Sequence, residues 1–250
     1  MDFTLTKYKE LLVALKDSGM NFKIRHDVDL RPSYSYRTAC LEHEIGIHSI
    51  YYFRAVPESF DRQIIEKIAI LGHQIGYHYE SLSTTKGNLE KAYEDFKYNL
   101  QRIREIVPVE SICMHGSPRS KWDNREMWNK YNYRELGISY EPYLDTDWSK
   151  TLYLTDTGRR WDGYKVSVRD KIPQWQDQWN KIGLTYHSTD DIIRDLKNPI
   201  SKLRQSNLEI HITTHPQRWC PMGSAWIFEL VSQNFKNLIK AILTKKQHQV

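Results

Sequence analysis

The sequence predicts an α/β fold in which helices cover a mostly parallel sheet. Three observations predict it. Short apolar runs rich in β-branched and aromatic residues alternate with longer helical patterns, roughly five to seven times along the chain. No Gly/Ser-rich linker, composition shift or fixed-period repeat divides the 250 residues, so a single domain over 1–250 is expected. The hydrophobic set is 40% of the residues, enough for one sizeable core at this length. An open doubly wound sheet and a closed (β/α) barrel both satisfy the pattern. In either, functional residues gather at the carboxyl ends of the strands.

The elements follow in order. Lys7 to Ser18 reads as a helix that stops at Gly19, and Phe22 to Asp29 as a strand. Pro32 sits where a first helical residue would, and that helix runs to about Ile45, with Gly46 past its end. His48 to Arg54 is a strand. Pro57 and Ser59 open a helix to Leu71, closed by Gly72. His73 to Tyr79 is the third strand. A long amphipathic helix spans Lys86 to Ile106, before Pro108. Ser111 to Ser117 is a strand, and Asn124 to Lys130 a short helix. Less regular strands are expected near Ile138–Tyr143 and Leu152–Thr157. Asp190 to Gln205 is mainly helical with a break at Pro199. Leu208 to His215 is the last strand, and Ser224 to Thr244 the final helix.

Composition excludes several classes. Lys+Arg (36) against Asp+Glu (31) gives +5, and the basic residues are scattered, so no nucleic-acid partner is expected. No apolar stretch reaches the 18 or so residues of a membrane span. Cys40, Cys113 and Cys220 are odd in number and widely spaced, which is no disulfide framework. The first residues, MDFTLTKYKELLVAL, lack the apolar core of a signal peptide, so a cytoplasmic location is expected.

The strand ends carry the chemistry. In Arg25-His26-Asp27-Val28-Asp29, period two puts Asp27 and Asp29 on one face and His26 on the other. Two carboxylates so close repel unless a cation intervenes. Asp29 alone could instead cap the helix at Pro32, which leaves Asp27 unexplained. His78 and Glu80 share a face of the third strand, with His73 opposite. Gly76 suggests a close approach to the backbone there. His115 ends the fourth strand. His211, Thr213 and His215 share a face of the last one, with Pro216 holding His215 extended. Each His has a structural explanation by itself, but four strands carrying His or Asp at the same end point to a site. Such a set suits metal-assisted hydrolysis, with an Asp as base and a His as acid.

With these motifs in this order, the chain resembles the polysaccharide deacetylase family, the NodB-homology carbohydrate esterases. The resemblance implies a distorted (β/α)7 barrel of mostly parallel strands. It implies that Asp27 is the base and Asp29 a metal ligand. Gly72, His73, Ile75, Gly76 and His78 match the second motif, which makes His78 a metal ligand. His215 matches the acid His. Asp156, with Trp161, is a loose match to the pair that orients it.

The sequence departs from the family at position 82, where Leu82 replaces the second metal His. His115 is the preferred third ligand, with Glu80 as the alternative. Arg119 stands near the place of the family's Arg that holds the base. Trp161 and Trp219 are candidates to stack on a sugar, and Arg159, with Arg160 beside it, to meet an anionic group. The implied activity is N-deacetylation of an N-acetylated sugar or glycan precursor with a divalent metal, most simply zinc. The alternative is a weakened or inactive carbohydrate-binding relative, motivated by Leu82. A third reading, Asp-x-Asp holding Mg²⁺ for phosphotransfer or glycosyl transfer, leaves the histidines without roles.

Overall fold

The structure is a computed structural model and describes residues 1–117, 120–165, 172, 175–224, 226–234 and 237. Helix α1 (Leu5–Ser18) is capped by Thr4, whose hydroxyl accepts from Lys7 N, and ends at Gly19 with φ 67°. Strand β1 (Phe22–Val28) leads through an αL Arg31 into α2 (Pro32–Ile45). That helix has no side-chain cap, so Asp29 is not committed to one. Then come β2 (Ile50–Phe53), α3 (Arg62–Ile70), β3 (Gln74–Tyr79), α4 (Ser81–Thr84), α5 (Leu89–Arg104) and β4 (Ile112–Met114). Helix α6 (Pro142–Asp145), β5 (Thr151–Thr155), α7 (Trp175–Ile182), α8 (Thr189–Lys197), α9 (Lys202–Gln205) and β6 (Glu209–Thr214) follow. Residues 226–234 form a further helix; the remainder of the helix expected to Thr244 lies outside the described residues.

Among the described residues six strands form one sheet in the order β4-β3-β2-β1-β6-β5, and every neighbouring pair is parallel. Curling brings β2 and β5 around a common interior. Tyr52 and Tyr153 line one cavity of about 30 Å³ with Arg25, Tyr140, Trp148 and His211. The fold is thus a curled half-barrel. Outside the sheet, α1 packs on α2 and α8, and α2 on α3. No helix among the described residues is long and apolar enough to cross a membrane.

Two expectations need correction. The (β/α)7 count is not confirmed: among the described residues six strands are seen, and the strand expected at Ile138–Tyr143 is reduced to one parallel bridge between Ser111 and Tyr140. Beyond that bridge the Glu141 side chain takes the place of a backbone acceptor. Its Oε1 accepts from Met114 N at 3.1 Å, and its Oε2 caps α6 through Tyr143 N at 2.7 Å. The helix expected from Pro57 begins only at Arg62, capped by Asp61. Ser59 is otherwise engaged: its hydroxyl accepts from Arg54 N and donates to Val28 O, tying the ends of β1 and β2 together.

The two faces of the sheet differ. On the helix side lies a buried polar cluster centred on Glu42. It receives the Tyr8 and Tyr51 hydroxyls and His26 Nε2, while His26 Nδ1 meets the Thr214 hydroxyl. His73 is on the same side, bonded to Ala39 O and Ser49 N. The interior face carries Arg25, Asp27, Tyr52, Gly76, His78, Cys113, His211 and Thr213, as period two requires.

Candidate metal centre at the strand ends

Four loops or strand ends bring Asp29, His78, His115 and His215 together. Asp29 Oδ1 lies 3.6 Å from His78 Nε2 and 3.6 Å from His115 Nε2, and Oδ2 lies 3.8 Å from His215 Nε2. The His78 and His115 rings are 5.1 Å apart and nearly perpendicular. Asp29 Oδ1 is buried yet has no hydrogen-bond partner. Burial alone would raise the Asp29 carboxyl, but the nearby imidazoles of His78, His115 and His215 hold it well below the usual carboxylate range.

Each imidazole is oriented from behind. His78 Nδ1 is 2.9 Å from Cys113 O, and a carbonyl can only accept, so Nδ1 carries the hydrogen and Nε2 presents a lone pair. His115 Nδ1 is 2.9 Å from Glu80 Oε2. Arg54 forks onto the other Glu80 oxygen at 3.0 and 2.7 Å and donates to Asp29 O at 3.1 Å. Burial acts against the Glu80 charge, but the His115 and Arg54 contacts lower its pKa to about 2. Glu80 therefore does not present a free oxygen to the cluster; it stands behind His115, as outer carboxylates stand behind ligating imidazoles.

The donors fit a divalent cation. Atoms bound at about 2.0–2.1 Å to one tetrahedral zinc stand roughly 3.3 Å apart, close to the separations of Asp29 from both imidazoles. Asp29, His78 and His115 form one group whose ligand atoms all lie within 4.8 Å of one another. Asp27, His78 and Cys113 form a second, fully buried group that shares His78. Asp27 Oδ1 has no partner, while Oδ2 lies 3.7 Å from Arg25 Nη2. Arg25 is held by Thr213 Oγ1 at 2.7 Å and Tyr143 Oη at 2.8 Å.

His215 is backed by Asp156. Nδ1 is 2.6 Å from Asp156 Oδ1, and the His215 amide donates to Oδ2 at 3.0 Å. Trp219 Nε1 donates to Oδ2 at 2.8 Å, and Arg218 Nη1 to Oδ1 at 2.7 Å. Arg218 Nη1 also stands 2.7 Å from Nδ1; with Nδ1 donating to Asp156, the Arg218 hydrogen goes to the oxygen they share. Burial would raise Asp156, but the charges of Arg218 and His215 keep it below the usual carboxylate range.

Several expected residues fall elsewhere. Trp161 is fully buried, stacked on Phe3 with Nε1 bonded to Thr189 Oγ1. Trp219 is also fully buried, packed on Phe3 and Tyr8, with its Nε1 on Asp156 Oδ2. Both rings complete the apolar core beneath the strand ends. Arg159 is 7% exposed, its guanidinium 4.5 Å over the Trp226 ring and bonded to Trp226 O, so it does not face outward for an anion. Arg160 pairs with Asp162. Arg119 lies outside the described residues. Leu82 is buried in the core. Sequence reasoning missed Arg25, Arg54 and Arg218. Arg25 had a signal, since it sits two residues before Asp27 on the same strand face; Arg54 and Arg218 had none beyond lying at strand ends.

No protein family and no curated protein matches this sequence. Among solved structures it is similar to that of a peptidoglycan deacetylase, PdaC, from Bacillus subtilis, in a mutant form. The two share 10% identity over 90% of this chain and 96% of that one, with a TM-score of 0.39.

Proposed function

We propose that this chain is a metal-dependent hydrolase that removes the acetyl group from an N-acetylated sugar or glycan precursor. The observation that carries the reading is the unpartnered Asp29 Oδ1, set between two imidazole nitrogens whose other ring nitrogens are already committed. Asp29, His78 and His115 would hold the cation. Once bound, it would polarise an amide carbonyl and make water acidic enough to lose a proton near neutral pH.

The chain's own groups do the rest. Asp27 takes the proton of the attacking water, and Arg25 keeps that carboxylate in place from 3.7 Å. His215 gives a proton from Nε2 to the leaving amine as the C–N bond breaks. Asp156 stabilises the imidazolium that carries this proton and fixes its orientation, and Arg218 and Trp219 hold Asp156. The products are acetate and a free amine.

The test is acetate release from an N-acetylated oligosaccharide by protein purified without chelator. Release should stop with chelator, return with zinc, and be lost in Asp29→Ala. Protein that binds no metal and releases no acetate sinks the reading. Saccharide binding indifferent to chelator would favour the non-catalytic relative that Leu82 suggested.

A further inference from the structure

His115 lies just past the end of β4, a three-residue strand at one edge of the sheet. Its amide donates to Tyr79 O at 2.7 Å, and Glu80 backs its ring. Its carbonyl is held by Asn124, a residue 1% exposed. Asn124 Nδ2 donates to His115 O at 2.7 Å, and Asn124 Oδ1 accepts from Ser83 N at 2.9 Å. The carboxamide has one orientation only, because a backbone carbonyl can only accept and a backbone amide can only donate.

The bond to Ser83 has a local cause. Ser83 lies in the first turn of α4, where backbone amides have no partner within the helix. Glu80 occupies the N-cap position of α4 and makes no side-chain cap bond. Its carboxylate is turned to His115 and Arg54 instead. The helix is therefore capped from a distant segment, and the carboxamide that caps it reaches on to His115. Asp123 caps the turn that starts at Asn124 through Arg125 N, which fixes the backbone from which Asn124 extends. A hydrogen bond of 2.8 Å between the Ser83 and Ser120 hydroxyls ties the same loop to α4 by a separate route.

We infer that Asn124 is a positioning residue of the candidate metal centre: by bridging Ser83 N and His115 O, it fixes the backbone that sets His115 Nε2 beside Asp29. Glu80 orients the His115 ring through Nδ1, and Asn124 holds the chain that carries the ring. This role rests on the proposed reading of His115 as a ligand. It is specific to a carboxamide, since an aspartate would keep an acceptor for Ser83 N and set a carboxylate oxygen against His115 O.

The experiment is a titration of the full chain with zinc against a competing chromophoric chelator. Asn124→Ala and Asn124→Asp both lose the donor to His115 O, the first without adding charge. Each should bind zinc about 10–100-fold more weakly than the parent. If Asn124→Ala does not fold, Asn124→Asp carries the test, because it keeps an acceptor for Ser83 N. Ser120→Ala loosens the same loop by the other route and should bind zinc as the parent does. Parental affinity in Asn124→Asp overturns the inference. So does an equal loss in Ser120→Ala, which would make Asn124 one loop contact among several. A parent chain that binds no zinc overturns the metal reading itself, and this role with it.

Discussion

His115 and Glu80 show how neighbouring residues divide the work at this site. Both were candidates for the third ligand, and the strand face they share did not separate them. In the structure Glu80 is occupied on both oxygens, by His115 and by Arg54, which supports His115 as the ligand of the proposed centre. A carboxylate behind an imidazole fixes its orientation and tautomer. Glu80→Gln should therefore weaken zinc affinity by about 10–100-fold while leaving the fold intact. A competition titration against a chromophoric chelator reads it directly, and unchanged affinity would remove Glu80 from the site. The same distinction applies to Trp219. Its position four residues after His215 was legible, but whether the ring faces a ligand or the core depends on Phe3 and Tyr8, more than two hundred residues away.

At the scale of elements, Gly76 explains how β2, β3 and the chain at Ser111 approach closely. A Cβ there would lie 2.3 Å from Tyr52 Cδ1 and 3.0 Å from Ser111 O. The Tyr52 ring cannot swing away freely, because its hydroxyl is tied to Ser111 Oγ at 2.6 Å. Gly76→Ala should cost about 1–3 kcal/mol of stability as overpacking. A thermal melt checks this, and an unshifted midpoint would show that the ring gives way. The sequence indicated a close approach here without naming the partner. Strands were legible because β-branched and aromatic residues gather in short runs bounded by turn residues. The expected strand at Ile138–Tyr143 was not a strand, because Glu141 supplies by side chain what a ladder supplies by backbone. Helix starts were legible where a side chain caps, as at Thr4, but Pro57 and Ser59 misled, since the Ser59 hydroxyl serves β1 and β2.

The whole molecule buries polar groups on both sides of its sheet, and this sets its response to acid. His211 lies inside the half-barrel, where burial, with Lys23 and Arg25 nearby, lowers its pKa from 6.5 to about 3. A base whose folded pKa is depressed binds fewer protons folded than unfolded. Its contribution is full above 6.5 and is lost as the pH falls from there toward about 3. Near pH 4 the loss from this group should be about 3 kcal/mol. Denaturant unfolding at neutral pH and near pH 4 measures it, and His211→Gln should flatten the difference. An equal acid loss in the variant would place the sensitivity elsewhere.

The sequence by itself determined the alternation of strands and helices, the parallel sheet, and the strand ends where Asp27, Asp29, His78, His115 and His215 sit. These follow from local periodicity and from side chains alternating along a strand. Only the tertiary structure decided that the sheet curls in the order β4-β3-β2-β1-β6-β5, that Arg25 stands beside Asp27, and that Glu80 backs His115. It alone decided that Trp161 and Trp219 are core. Each depends on which distant segment packs alongside, and a pattern with a period of two or 3.6 carries no record of its neighbour.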